Sequence, residues 1–133
     1  MNRYMLDTNI VSHLIRLNPV TCRRAAQVPM EHLCISVITE GELMYGLAKE
    51  PHIKKLSALV EEFLSRVVVL PWTSSTARRY GIFRANADRQ GIRLGPLDML
   101  IAAHAFEAKA TLVTNDRAFS HLNNLTLEDW TLP

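Results

Sequence analysis

Four carboxylates, Asp7, Glu42, Asp98 and Asp116, each stand just past an apolar run of strand character or in the first turns of an expected helix. In open α/β sheets ligands gather outside the carboxyl ends of the strands, so these positions bring the acids to one edge. Crowded carboxylates raise each other's pKa unless a cation neutralises them, and an oxygen-only donor set suits a hard ion, Mg²⁺ or Mn²⁺. Zinc is disfavoured: His13, His32, His52, His104 and His121 are scattered without H-E-x-x-H spacing and are expected to be structural or exposed. A carboxylate-held ion can activate water and offset charge on a phosphodiester during in-line attack, which makes nucleic-acid hydrolysis the natural reaction. Thr8, Asn9, Ser36, Thr114 and Asn115 surround the acids with short hydroxyl and amide groups able to orient carboxylates or water. Each has a structural reading beside the functional one, because such residues at strand ends also cap helices and close turns.

The elements that must position these groups follow from periodicity. Tyr4 to Leu6 predict a strand ending at Asp7, and Ile10, Val11, Leu14 and Ile15 recur at helical spacing before Asn18-Pro19. Val20 to Val28 predicts a short helix closed by Pro29, followed by a buried strand from His32 to Ser36 and a helix carrying Glu42. Ile53, Leu56, Leu59, Val60, Phe63 and Leu64 mark one apolar face of a further helix. Val67 to Leu70 reads as a parallel strand covered on both faces, and Thr76 to Gln90 as a helix with Ala77, Tyr80, Phe83 and Ala87 toward the core. Pro96 suits the first position of a largely buried helix from Leu97 to Ala110. Thr111 to Thr114 and Leu125 to Trp130 give the last two strands, the final one at an edge. Strands alternating with helices predict an α/β protein, a three-layer α/β/α sandwich with a mostly parallel central sheet, formed as one domain over residues 1–133.

Composition sets the bounds. A chain of 133 residues with 48% hydrophobic content can bury a sizeable core, and a formal charge of +2 is too small for a protein that coats DNA. Cys22 and Cys34 lie in no ligand or framework spacing, which fits a reducing compartment. With no apolar run approaching the ~20 residues of a membrane span, and with Asp7 interrupting any signal-like start, a cytoplasmic protein with no membrane partner is expected. Positive charge is concentrated locally, where Arg78, Arg79, Arg84, Arg89 and Arg93 face only Asp88 in the segment leading to Asp98. These are RNA-binding candidates, with solvated surface arginines as the alternative; Arg78 and Arg89 return to nearly the same side of a helix at about 3.6 residues per turn.

Four segments in order now carry a resemblance that spans nearly the whole chain. They are Met5-Leu6-Asp7-Thr8-Asn9, Ile35 to Leu43, Gly95 to Ala105, and Leu112-Val113-Thr114-Asn115-Asp116 with Phe119. In these the chain resembles the PIN-domain ribonucleases, and most closely the VapC-type toxins of type II toxin-antitoxin systems. The resemblance implies that Asp7, Glu42 and Asp98 are the core metal-binding acids and Asp116 the more variable fourth, that Glu42 before Leu43 is preferred over Glu40, and that Thr114 is a polar position near the metal. It further implies a Mg²⁺- or Mn²⁺-dependent endoribonuclease that inhibits translation and acts on transfer RNA, with the anticodon stem-loop of the initiator a leading target. Its expected partners are a VapB-type antitoxin and a second copy of the chain. An antitoxin segment would lie across Leu43, Met44, Tyr45 and Leu47 and the helix beyond, residues whose other reading is core packing.

Two other classes stay open at this point. One is a phosphatase or phosphotransferase with an Asp nucleophile, opposed by the lack of a second Asp two residues after Asp7. The other is a PIN-like RNA-binding or scaffold protein without turnover. A nucleotide-binding module is weaker, since neither the glycine-rich dinucleotide fingerprint nor a P-loop is present.

Overall fold

The computed structural model describes residues 2–133. In chain order the elements are β1 (Tyr4–Leu6), α1 (Thr8–Ile15), α2 (Pro19–Ala26), β2 (Leu33–Ser36), α3 (Val37–Lys49), α4 (Lys54–Leu64), β3 (Val68–Leu70), α5 (Ser74–Arg89), α6 (Pro96–Glu107), β4 (Thr111–Val113) and β5 (Leu127–Glu128). Short 3-10 turns occupy Met30–His32 and Arg117–His121. No described helix is long and apolar enough to cross a membrane.

The strands form one sheet in the order β3-β2-β1-β4-β5, and every neighbouring pair is parallel, so the sheet is parallel throughout. From β1 the chain moves outward through β2 to β3, then crosses back through α5 and α6 to enter β4 on the other side of β1. The direction of winding therefore reverses between β1 and β4. A crevice opens at such a point outside the carboxyl ends of the strands, where Asp7 follows β1 and Thr114 follows β4.

Alternation along the strands divides the apolar residues between two faces. Met5, Cys34 and Leu112 share one cluster with Phe83, Met99, Ile101 and Phe119, whereas Leu6, Leu33, Ile35 and Val113 share the other with Ile10, Leu43, Val60 and Trp130. Both cysteines are free, and burial pushes the Cys34 thiol up to about 11, which makes it unreactive.

Helix starts are set by side chains that double as site residues. Asp7, in extended conformation, accepts from the Thr8 amide at 2.8 Å and caps α1, while Ser36 accepts from the Ile38 amide at 3.0 Å and caps α3. Thr73 and Thr76 form a capping box at the start of α5, and Pro96 opens α6.

Three local expectations are corrected. The segment from Val67 to Leu70 is not covered on both faces: β3 is the outermost strand, Val68 is 49% exposed, and Val69 and Leu70 are half-buried. Ala77 is exposed, because the inward positions of α5 are Thr76, Tyr80, Phe83 and Ala87, and the Thr76 hydroxyl donates to Glu107 at 2.8 Å. The last strand lies at an edge as expected but is shorter than Leu125 to Trp130, pairing only at Leu127 and Glu128.

Candidate active site

Asp7 lies at the end of the central strand and is 4% exposed. Its two oxygens are occupied separately: one accepts from the Thr8 amide, and the other accepts from the Thr114 hydroxyl at 2.9 Å. The same Thr114 oxygen accepts from the Asp116 amide at 3.1 Å, so this residue bridges the acid after β1 to the one after β4. Asp116 is in turn held by the Ala118 amide at 2.9 Å as the cap of the following turn. Glu42, in the second turn of α3, accepts from the Thr8 hydroxyl at 2.6 Å. Thr8 thus donates its amide to one acid and its hydroxyl to another.

Asp98 is the third residue of α6, in the first turn, where the partial positive charge of the helix end favours a carboxylate. Even so, its pKa is pushed up to about 6, by burial first and then by the charges of Asp7, Asp116 and Glu42. Asp7 is raised too, chiefly by burial, with Glu42 and Asp116 adding to the shift and the Thr114 and Thr8 hydrogen bonds opposing it. Acids that come from four separate stretches of the chain are therefore close enough to feel one another, which is the arrangement expected from the sequence.

The remaining residues divide. Thr8 and Thr114 touch the acids directly. Ser36 instead caps α3 and meets the Nδ1 atom of His104 at 2.7 Å, tying the helix that carries Glu42 to the helix that carries Asp98. His104 is 2% exposed, packs edge-on to Trp72 at 5.3 Å, and has its pKa lowered, mainly by burial. Sequence reasoning grouped it with the scattered histidines; the available signal was a lone polar ring inside an otherwise apolar helix. Asn9 and Asn115 are exposed, and the Asn9 contact with His13 is made by its backbone carbonyl.

The five arginines are all exposed but do not form one surface. Arg78 and Arg89 project from the side of α5 opposite Phe83 and Ala87, Arg79 lines a hollow with Phe106 and Leu122, and Arg84 and Arg93 line a cleft beside the start of α6. On the other side of the acids, Ile15, Leu43, Leu47, Leu56 and Val60 line a groove of about 350 Å³ that ends at Thr8, Asn9 and Glu42. Met44 and Tyr45, expected in this groove, are 37% and 65% exposed and do not line it.

The donor set fits a hard divalent cation: it is made of carboxylate oxygens, and two of the acids are shifted in the direction that a cation would reverse. Among the described residues no three acid, histidine or cysteine side chains form a ready-made metal cage. An ion of the Mg²⁺ type does not require one, since it keeps several waters and takes one or two carboxylates.

The Asp98 shift has a consequence for stability. Its folded-state pKa lies above the ordinary 3.8, so as pH rises from about 4 through about 6 the unfolded chain gives up its proton first and stability falls. Because Asp98 is only half-buried, solvent screening reduces the effect to about 1 kcal/mol. In chelator, urea unfolding should show wild type losing that amount relative to Asp98→Asn between about pH 4.5 and pH 7. Parallel pH profiles for the two proteins would contradict the coupling.

Comparison with known proteins places this geometry in context. Residues 4–125 match the family model of the PIN domain. The chain is 37% identical to the tRNA(fMet)-specific endonuclease VapC of Shigella flexneri over 131 residues, 98% of this chain and 99% of that protein. It is 36% identical to Ribonuclease VapC2 of Haemophilus influenzae over the same shares of each. Among solved structures it resembles the DNA-bound VapBC of Salmonella typhimurium with a TM-score of 0.89 at 37% identity, covering 98% of this chain and 99% of that one.

Proposed function

From the premise that this chain belongs to the PIN-domain family, we propose that it is a metal-dependent endoribonuclease, the toxin of a toxin-antitoxin pair, whose substrate is transfer RNA. The observation that carries the reading is the convergence of Asp7, Glu42, Asp98 and Asp116 outside the strand ends where the winding reverses. We assign these four as the catalytic acids. Bound among them, Mg²⁺ or Mn²⁺ supplies a lowered water pKa and neutralises charge on the phosphodiester.

The chain's own residues prepare that chemistry. Thr114 and the Thr8 amide keep Asp7 from rotating and oppose the rise in its pKa that burial causes. The Thr8 hydroxyl, 34 positions before Glu42, fixes that acid relative to Asp7. Ser36 and His104 lock the two helices that deliver Glu42 and Asp98. An Asp7 nucleophile is disfavoured by the lack of a second Asp two residues later.

The apolar groove that ends at Glu42 suits a partner helix, and the antitoxin occupies it, bringing a basic side chain to the acids and so shutting the site. Likeness to VapBC assemblies over 96% and 98% of the chain supports this partner. The transfer RNA substrate, in its initiator form, rests on the Shigella relative.

Incubation of antitoxin-free protein with total transfer RNA, with Mg²⁺ and with chelator, followed by mapping of the new ends, tests the reading. Discrete metal-dependent cuts are expected. Folded protein that makes no cut in any RNA fraction would overturn it.

A further inference from the structure

We propose that the cleft between the end of α5 and the start of α6 holds an RNA backbone phosphate next to the one that is cut, through Arg84 and Arg93. The proposal rests on the ribonuclease reading and goes beyond it by dividing the five arginines into two that bind and three that do not.

The cleft has a volume of about 380 Å³ and is lined by Arg84, Asp88, Gly91, Ile92, Arg93, Leu94, Pro96 and Met99. Pro96 and Met99 belong to the same first turns of α6 as Asp98, so the cleft opens beside the helix start that carries this acid, while Asp98 itself does not line it. A strand of RNA with its scissile phosphate at Asp98 would therefore pass a neighbouring phosphate across this opening.

The Arg84 guanidinium is anchored, and the backbone that leads to Arg93 is fixed. Arg84 donates to the Tyr80 hydroxyl at 2.8 Å, and the Tyr80 ring packs edge-on to Trp72 at 5.8 Å. Arg93 follows a rigid helix ending: Gly91, at φ 74, allows the Gly91 amide to donate to Asp88 at 3.0 Å and the Ile92 amide to Ala87 at 3.0 Å. This paired pattern is a Schellman ending, and its customary apolar contact is present, since Ile92 and Ala87 are buried in the same cluster. The chain from 91 to 95 is thus fixed so that Arg93 returns beside Arg84. Among the described residues neither arginine is in an ion pair.

Charge gives the argument a sign. The cleft presents two guanidiniums and one carboxylate, Asp88, which opposes a phosphate. Arg78 and Arg89 lie on the outward side of α5, away from α6. Arg79 lines a different hollow.

The test measures binding of labelled total transfer RNA against KCl concentration, in proteins that also carry Asp7→Asn so that the RNA stays uncut, and cleavage kinetics with the acids intact. Arg84→Ala with Arg93→Ala should weaken binding about tenfold and flatten the salt slope by about 1.5, raising KM while kcat stays within about threefold. Arg78→Ala with Arg89→Ala should change the slope by less than about 0.5, and Asp88→Asn should tighten binding. Equal losses from the two arginine pairs, or weaker binding in Asp88→Asn, would overturn the assignment. If the parent protein cuts RNA but the Arg84 and Arg93 variant keeps its slope and KM, the cleft is wrong and the nuclease stands. A parent that neither binds nor cuts RNA overturns both. Unchanged RNA binding with weakened antitoxin binding would give the cleft to a protein partner and overturn its RNA role.

Discussion

Asp7→Asn is expected to reduce cleavage of transfer RNA by about a hundredfold to a thousandfold, while the metal-free protein melts no lower than wild type. The first effect follows from taking a charge away from the centre of the acid cluster, where the several kcal/mol that a correctly held cation contributes to the transition state would be lost. The second follows from the hydrogen bonds. Asn caps a helix about as well as Asp, so its side-chain oxygen can still accept from the Thr8 amide, and its amide group can donate to Thr114. Meanwhile the repulsion with Glu42 and Asp116 and the cost of burying a charge disappear. Alanine is the poorer test, because losing the cap on α1 costs about 1 kcal/mol and mixes a folding defect with a catalytic one. Initial rates in Mg²⁺ and melting curves in chelator decide the matter. Activity within tenfold of wild type would remove Asp7 from the chemistry, and a clear drop in the metal-free melting temperature would show that its charge is structurally favourable.

The same residue shows what the sequence could and could not convey. An apolar triplet followed by Asp-Thr-Asn announces a strand end with an acid just beyond it, and the other three acids stand in comparable local settings, so their convergence was legible before any coordinates. The α/β sandwich was legible for the same reason, since both periods are local. Strand order is not local. Val67 to Leu70 has the uniform apolarity of an interior strand, yet β3 lies at the edge because the chain turns back through α5 and α6 to the far side of β1. On α5 the inward positions Tyr80, Phe83 and Ala87 were legible and only the first was misplaced, with Thr76 inward and Ala77 outward, because the capping box at Thr73 fixes the helix start and the Glu107 bond draws Thr76 in. The contact of Ser36 with His104 joins positions 68 apart and leaves no periodic trace. Nor could a count of arginines reveal that α5 and the loop after it distribute them over three surfaces.

Trp130→Ala should cost about 3–5 kcal/mol, a large share of the total of about 5–15 kcal/mol for an ordinary domain. Trp130 follows the last strand, yet it is 1% exposed and belongs to the cluster of Leu6 and Val113. Its ring meets Tyr4 at a centroid distance of 5.5 Å, and its indole donates to Glu128 at 2.9 Å, on the strand paired with β4. Glu128 also pairs with Arg24 at 3.7 Å, an exposed contact of small weight beside the buried ring. The tail therefore closes the apolar face beneath the two strands that end at Asp7 and Thr114, and emptying it leaves a cavity under the site. Urea unfolding in chelator at neutral pH gives the magnitude, with Leu132→Ala, at a position 58% exposed, as a control expected to shift stability by less than about 0.5 kcal/mol. Trp130→Phe keeps an aromatic ring against Tyr4 but loses the indole donor and part of the ring volume, so it should recover about half of the deficit. A loss below about 1 kcal/mol in Trp130→Ala would mean that the strands hold Asp7 in place without the tail.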